Sequence, residues 1–176
     1  MEAIEAINLR SFDYRDSSLI VVAFSREYGR VSLLARGAKK SAKSSTGLLQ
    51  SFCHNRYILG HKRDLSIITS IDSLNTFAEL SVDLDRIQAG YECLHLIQAV
   101  VQDDHAAPKL FDLCQNTLKA LCTLPKDNLS GLLRQFKTQL LHEEGLLQHA
   151  ETIPDNIDEL VEQYIHTRPI NLSPSL

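Results

Sequence analysis

Hydrophobic positions follow two regimes along the chain. Up to about residue 75 the apolar runs are short, β-branched and separated by turn formers. Ser18-Leu19-Ile20-Val21-Val22-Ala23-Phe24 is a compact apolar run, and Gly29-Arg30-Val31-Ser32-Leu33 alternates. Tyr57-Ile58-Leu59 and Leu65-Ser66-Ile67-Ile68 follow, with Asp16-Ser17, Tyr28-Gly29 and Gly60-His61-Lys62 as punctuation. Side chains two apart share a strand face, so this pattern predicts β-strands. Five short strands in about 75 residues suit a small barrel or sandwich, and a five-stranded OB-type barrel is one natural solution.

From about residue 76 the period lengthens to that of a helix. Leu84, Ile87, Tyr91, Leu94, Ile97 and Val101 step by three or four and line one face. Pro108 suits the first turn of a second helix, whose stripe is Phe111, Cys114, Leu118 and Leu121. Leu129, Leu132, Leu133, Phe136 and Leu140 form a third, with Asn128 as a cap. Asp155-Asn156 caps a last helix carrying Ile157, Leu160, Val161 and Tyr164, which Pro169 ends. The expected fold class is α+β: a five-stranded OB-fold β-barrel over residues 1–78, then an all-α helical domain over 79–176.

Charge divides the chain at the same place. Residues 1–80 hold eleven Lys/Arg against eight Asp/Glu, and residues 81–176 hold seven against fourteen, so a +3 half precedes a −7 half. The net of −4 excludes a uniformly basic binder of the histone type and leaves room for a local basic patch. The longest purely apolar run, Leu19 to Phe24, is far short of the roughly 20 residues a membrane helix needs. Cys53, Cys93, Cys114 and Cys122 show no C-x-x-C spacing and read as small buried hydrophobes in a reducing cytoplasm. The N-terminus has no targeting character.

The motifs of enzymes fail on inspection. Gly37 is followed by Ala38 and not by the Lys-Ser of a phosphate loop, and His142-Glu143-Glu144-Gly145 leads to Leu146 where a zinc protease needs His. There is no G-x-S-x-G elbow, and no His pairs with Cys or carboxylate at metal-ligand spacing. We therefore expect no catalysis, no metal and no cofactor.

What remains is a basic strip. Arg26, Arg30, Arg36, Lys39, Lys40 and Lys43 lie within eighteen positions that include one acid, Glu27. Several cations within reach of a polyanion supply affinity through counterion release. A solvated loop, basic for solubility, produces the same run. Arg10 and Arg56 extend the patch if the barrel brings them near. Tyr14 and Phe52 are candidates for base stacking, and packing against the barrel is the competing role for Phe52.

The segment from Ile7 to Lys39 resembles the N-terminal region of the bacterial RecO family. The resemblance rests on Ile7-Asn8-Leu9-Arg10, Asp13-Tyr14, the turn Ser25-Arg26-Glu27-Tyr28-Gly29, and Ala35-Arg36-Gly37-Ala38-Lys39. Leu49-Gln50-Ser51-Phe52 is similar to the family's Leu-Gln-Pro-Phe, with Ser51 in place of Pro. Leu132-Leu133-Arg134-Gln135-Phe136 and the stretch from Gln163 to Ile170 continue the likeness weakly into the helices. The chain departs from the family in its acidic balance and in running from Gly145-Leu146-Leu147 almost directly to Ile153-Pro154, where many members insert a Cys-rich zinc module.

The resemblance implies a recombination mediator in DNA repair. Such a protein binds single- and double-stranded DNA, anneals complementary strands and assists RecA loading with RecR. It implies DNA contacts at Arg30, Arg36, Gly37, Lys39, Lys40 and Lys43. It also implies a helical-domain groove for the acidic C-terminal tail of single-stranded DNA-binding protein, with Arg134 and Lys137 as the cations. For Arg134 the competing role is an ion pair with Glu143 or Glu144. The alternative function is an OB-fold protein-interaction adaptor with little or no DNA affinity.

Overall fold

The computed structural model describes residues 2–40, 46–60 and 66–168. Five strands, β1 (Glu2–Tyr14), β2 (Ser18–Ser25), β3 (Gly29–Ala35), β4 (His54–Leu59) and β5 (Ser66–Asn75), close into a barrel of order β1-β2-β3-β5-β4. All neighbours are antiparallel except β3 and β5, which run parallel. This is the α+β architecture expected, with an OB-type barrel first.

β1 closes the barrel because it is long enough to pair twice. Its first half, Glu2 to Ile7, pairs with β4, and Ala6 to Tyr14 pairs with β2. A bulge at Leu9, between Asn8 and Arg10, adds the bend that closure requires. The barrel interior holds Ile4, Ala6, Leu19, Val21, Ala23, Leu33, Ala35, Tyr57 and Leu59.

β2 is buried on both faces, which is why its sequence is continuously apolar instead of alternating. Its Val22 and Phe24 point away from the barrel core into a second cluster with Ile7, Leu9 and the helices. Phe24 meets Phe111 edge-on at 5.4 Å, a geometry worth about 1 kcal/mol beyond area burial.

A 3-10 turn, Ala78–Val82, leads into α1 (Leu84–Val100), followed by α2 (Pro108–Thr123), α3 (Leu129–Glu143) and α4 (Ile157–Thr167). The Asp83 carboxylate caps α1 by accepting from the N–H groups of Asp85 (2.8 Å) and Arg86 (3.4 Å). Arg86 reaches from α1 to the carbonyls of Leu121 and Leu124 at the end of α2. Pro108 does open α2.

The helical stripes need two corrections. Leu84 and Tyr91, expected on the buried face of α1, are 68% and 50% exposed. Asn128 and Asn156 precede α3 and α4, but neither side chain makes a capping hydrogen bond. α4 ends at Thr167, and Pro169, expected to end it, lies outside the described residues.

Candidate nucleic-acid interface

β3 sorts the basic strip. Arg30 stands at its start and Arg36 directly after its end, and at about 3.3 Å per residue the two lie roughly 20 Å apart. Their surroundings have little in common.

At the start of β3 the turn Ser25–Gly29 is tightly wired. The Ser25 hydroxyl accepts from the N–H groups of Glu27 (3.2 Å) and Tyr28 (3.3 Å) and donates to the Glu27 carboxylate at 2.8 Å. That carboxylate in turn accepts from the Glu5 N–H at 3.2 Å. Gly29 has φ +68, and a Cβ there would lie 2.6 Å from the Gln102 carbonyl oxygen and closer still to that of His105. The segment joining α1 to α2 therefore seats directly on this turn. Arg30 secures it: its N–H donates to the Gln102 carbonyl at 3.0 Å, its Nε to Asp103 at 2.6 Å, and its guanidinium reaches the Gln98 carbonyl at 3.4 Å. The Arg30 side chain is 11% exposed. Arg26 pairs with Asp112 of α2 and stacks on Phe111, 4.8 Å from the ring centroid.

The far end of β3 is open. Gly37 has φ +65, nothing lies within 4 Å of where its Cβ would be, and its carbonyl accepts from the Lys40 N–H at 2.9 Å. Glycine reaches this left-handed conformation without strain, and its bare backbone leaves room for a close approach. The Gly37 N–H donates to the Ser18 hydroxyl at 3.4 Å, tying the turn to the β1–β2 hairpin. The Lys39 ammonium contacts Asp13 at 2.6 Å, an exposed pair of the kind worth well under about 1 kcal/mol. Arg36 and Lys40 are exposed and have no acidic partner among the described residues. Arg36 rims a cavity of about 230 Å³ floored by Leu49 and bounded by Ile68–Ile71 of β5. Lys43 falls in 41–45, outside the described residues.

The remaining candidates are scattered. Arg10 is half-buried on β1, whereas Arg56 is exposed on β4, opposite Glu5 and Asp72. Tyr14 is half-buried at the hairpin. Phe52 is buried, with φ +74, and lies 4.7 Å from the ring of Tyr91 on α1. In the helical half, Arg134 donates to the carbonyls of Pro154 (3.0 Å) and Asp155 (3.5 Å) in the loop before α4. Lys137 is 12% exposed between Glu92 and Asp158. Burial opposes its charge, but the hydrogen bonds it donates to these carboxylates, with their charge, outweigh that and hold its pKa above the usual lysine value. Both cations thus brace α3 against its neighbours.

A polar group inside the barrel holds the open end in shape. The Tyr57 hydroxyl donates to Asn8 Oδ1 at 2.6 Å and accepts from Asn55 Nδ2 at 2.9 Å. Asn8 donates to the carbonyls of Leu48 and Gln50, both at 3.0 Å, and Asn55 to that of Leu48 at 2.7 Å. These bonds pull Leu49 into the barrel as a plug. Burial pushes the Tyr57 phenol up to about 12, so it is a neutral donor at any physiological pH. Sequence reasoning missed this group, because an Asn and a Tyr in alternating strands look like outward polar positions.

Among the described residues no cluster of three metal-ligating side chains occurs, and no helix is long and apolar enough to cross a membrane.

The barrel order, its parallel β3–β5 closure and the helices packed on its outer face define an OB-fold protein with an appended helical domain. Residues 1–77 match the family model described as Recombination protein O N terminal. The chain is 31% identical over 143 residues to the DNA repair protein RecO of Idiomarina loihiensis, covering 81% of this chain and 60% of that protein. It is 32% identical over 139 residues to the Polaromonas RecO (79% and 55%) and 29% identical over 143 residues to that of Desulforamulus reducens (81% and 55%). The chain is thus similar to RecO proteins over about four fifths of its own length, and its first 77 residues match the N-terminal part of that family. It spans about half the length of the curated relatives it matches.

Proposed function

We propose that the chain acts in DNA repair and recombination by binding DNA, without covalent chemistry, at the barrel end formed by Arg36, Gly37, Lys39 and Lys40. The observation that carries this reading is the pair of exposed cations, Arg36 and Lys40, flanking a glycine turn and without an acidic partner among the described residues. Unpaired cations lose little on meeting a phosphate, and each contact releases condensed counterions. The names of the relatives, DNA repair protein RecO, agree with this role. The acidic helical half repels a polyanion, which orients DNA on the barrel side and leaves the helices for protein partners. RecR, the tail of single-stranded DNA-binding protein, and annealing and RecA loading belong to the same proposal.

The test is fluorescence anisotropy of a labelled single-stranded oligonucleotide across a salt series. Replacing Arg36, Lys39 and Lys40 by Ala lowers the salt slope by about two units, at about 0.7 per lost phosphate contact. An unchanged slope removes the site. No binding by the native chain even at low salt makes the adaptor the better reading, since Arg26, Arg30, Arg134 and Lys137 are all engaged inside the protein.

A further inference from the structure

The outer face of the β1–β2–β3 sheet is divided. Ile7, Leu9, Val22 and Phe24 lie under the helices. Beyond them β1 presents Arg10, Phe12 and Tyr14, two residues apart and therefore on one face. Their cross-strand partners are Val22, Ile20 and Ser18, and the next strand adds Ser32 and Leu34 opposite Val22 and Ile20. The Arg10 guanidinium lies 5.8 Å from the Phe12 centroid, and that of Arg15 lies 5.1 Å from the Tyr14 centroid. The row therefore reads cation, ring, ring, cation.

Three features of this row lack an internal explanation. Neither arginine has an acidic partner among the described residues, although exposed Asp13 and Asp16 are close in sequence and Asp13 is held by Lys39. Arg10 Nε is out of contact with water and makes no hydrogen bond, an orphaned donor of a charged group. Arg15 has φ +54, a strained conformation for a side-chain-bearing residue, and it is this conformation that sets its guanidinium beside Tyr14. Arg36 follows β3 at the same end, joined to the hairpin through the Gly37–Ser18 hydrogen bond.

We propose that Tyr14, flanked by Arg15 and by the Arg10–Phe12 pair, is a stacking platform for unpaired bases of single-stranded nucleic acid. This rests on the function proposed above and assigns its selectivity. The cations at Arg36 and Lys40 take phosphates of any strand. The row on β1 takes bases, which a duplex keeps stacked inside. An aromatic ring already faced by a guanidinium offers its other side to a base, and the cationic charge of Arg10 and Arg15 beside the rings favours an anionic strand along the row. Phe12 packs partly on the helical core and buttresses the row, leaving Tyr14 as the contact ring.

Anisotropy with two labelled probes of equal length, oligo-dT and an abasic oligonucleotide, separates bases from phosphates. The native chain binds oligo-dT more tightly than the abasic strand. Tyr14→Leu lowers oligo-dT affinity about tenfold, the scale of one lost base–aromatic contact, and leaves abasic affinity unchanged. Tyr14→Phe keeps the preference. Arg15→Gly, which suits the left-handed backbone and therefore folds, weakens both probes by removing a cation. Equal native affinity for the two probes overturns the platform, as does a Tyr14→Leu effect that is absent or equal on both. If the native chain binds neither probe, the proposed function falls and the platform with it. If the Arg36/Lys39/Lys40 variant loses salt dependence while Tyr14→Leu changes nothing, the platform alone falls.

Discussion

The two ends of β3 carry residues of the same kind and put them to opposite uses. Arg26 and Arg30 are fastened to Asp112, Asp103 and backbone carbonyls, and they join the barrel to the helices. Arg36 and Lys40, ten residues further on, face solvent without an acidic partner among the described residues. Six cations within eighteen positions look like one patch in the sequence, and a seven-residue strand separates them by roughly 20 Å. Charge density along a chain therefore overstates charge density on a surface. What distinguishes the ends is the neighbouring glycine. Gly29 is pressed against the carbonyls of Gln102 and His105, whereas Gly37 has nothing within 4 Å.

The comparison breaks most visibly at those glycines. Gly29→Ala is expected to destabilise by about 3 kcal/mol or more, from positive φ together with collision against two fixed carbonyl oxygens. Gly37→Ala is expected to cost about 1 kcal/mol, since only the positive φ is at stake. Urea denaturation of both variants measures the difference, and equal losses would mean the two ends are packed alike.

Next in size is Tyr57→Phe, which strips a donor from buried Asn8 Oδ1 and is expected to cost about 2 kcal/mol. Its particular value is location. The network holds Leu48 to Gln50 at the open end, so the variant should lower nucleic-acid affinity while the seam at Arg30 stays intact. Proteolysis that first cuts near the α1–α2 connection, instead of near residues 46–50, would contradict this.

Smaller again is the contrast between the arginines themselves. Arg30→Ala is expected to cost about 1 kcal/mol, discounted because Asp103 is 64% exposed, with no change in the salt slope of nucleic-acid binding. Arg36→Ala is expected to leave stability within about 0.5 kcal/mol and to lower the slope by about 0.7. The same two measurements on both variants form the test, and a slope lost with Arg30 would move the interface to the seam.

The strands and helices were legible because their periods are imposed by burial. β2 was plain from its apolar run, and Pro108 marked the start of α2. The roles of the polar residues were much less legible. Arg30 alternates outward on β3, as a solvent-facing residue would, and only the return of the α1–α2 connection 73 positions later gives it Asp103. Tyr91 keeps helical register with Leu94 but meets Phe52 from a half-exposed position. The Ala35–Lys39 motif stands out as one segment in the sequence, yet nothing in it separates Arg36, without an acidic partner among the described residues, from Lys39, with Asp13 beside it. Long-range partners decide such cases, and a sequence pattern carries only local ones.

The smallest expected effect is the most specific to the seam. His54 opens β4, is 3% exposed, and stands against Phe111, its ring centroid 5.8 Å away. Gln115 Nε2 lies 3.2 Å from its Nδ1, and its Nε2 lies 2.8 Å from Glu5. These contacts suit the neutral ring, with Nδ1 accepting and Nε2 donating; protonation would set a second N–H against the Gln115 amide. Burial lowers the His54 pKa, aided by Lys119 and Arg26 and opposed by the hydrogen bond and charge of Glu5. The unfolded chain therefore binds the proton first as pH falls. Stability attached to His54 is complete above the unfolded value of about 6.5 and declines below it until the folded pKa is passed. Urea midpoints between pH 8 and pH 5 should fall more for the native chain than for His54→Gln. The open end contains no described histidine, so Arg36→Ala should track the native chain over the same range. Parallel lines for the native chain and His54→Gln would mean that the contact with Glu5 cancels the effect of burial, and a smaller fall for the native chain than for His54→Gln would mean that the seam is held by a charged ring.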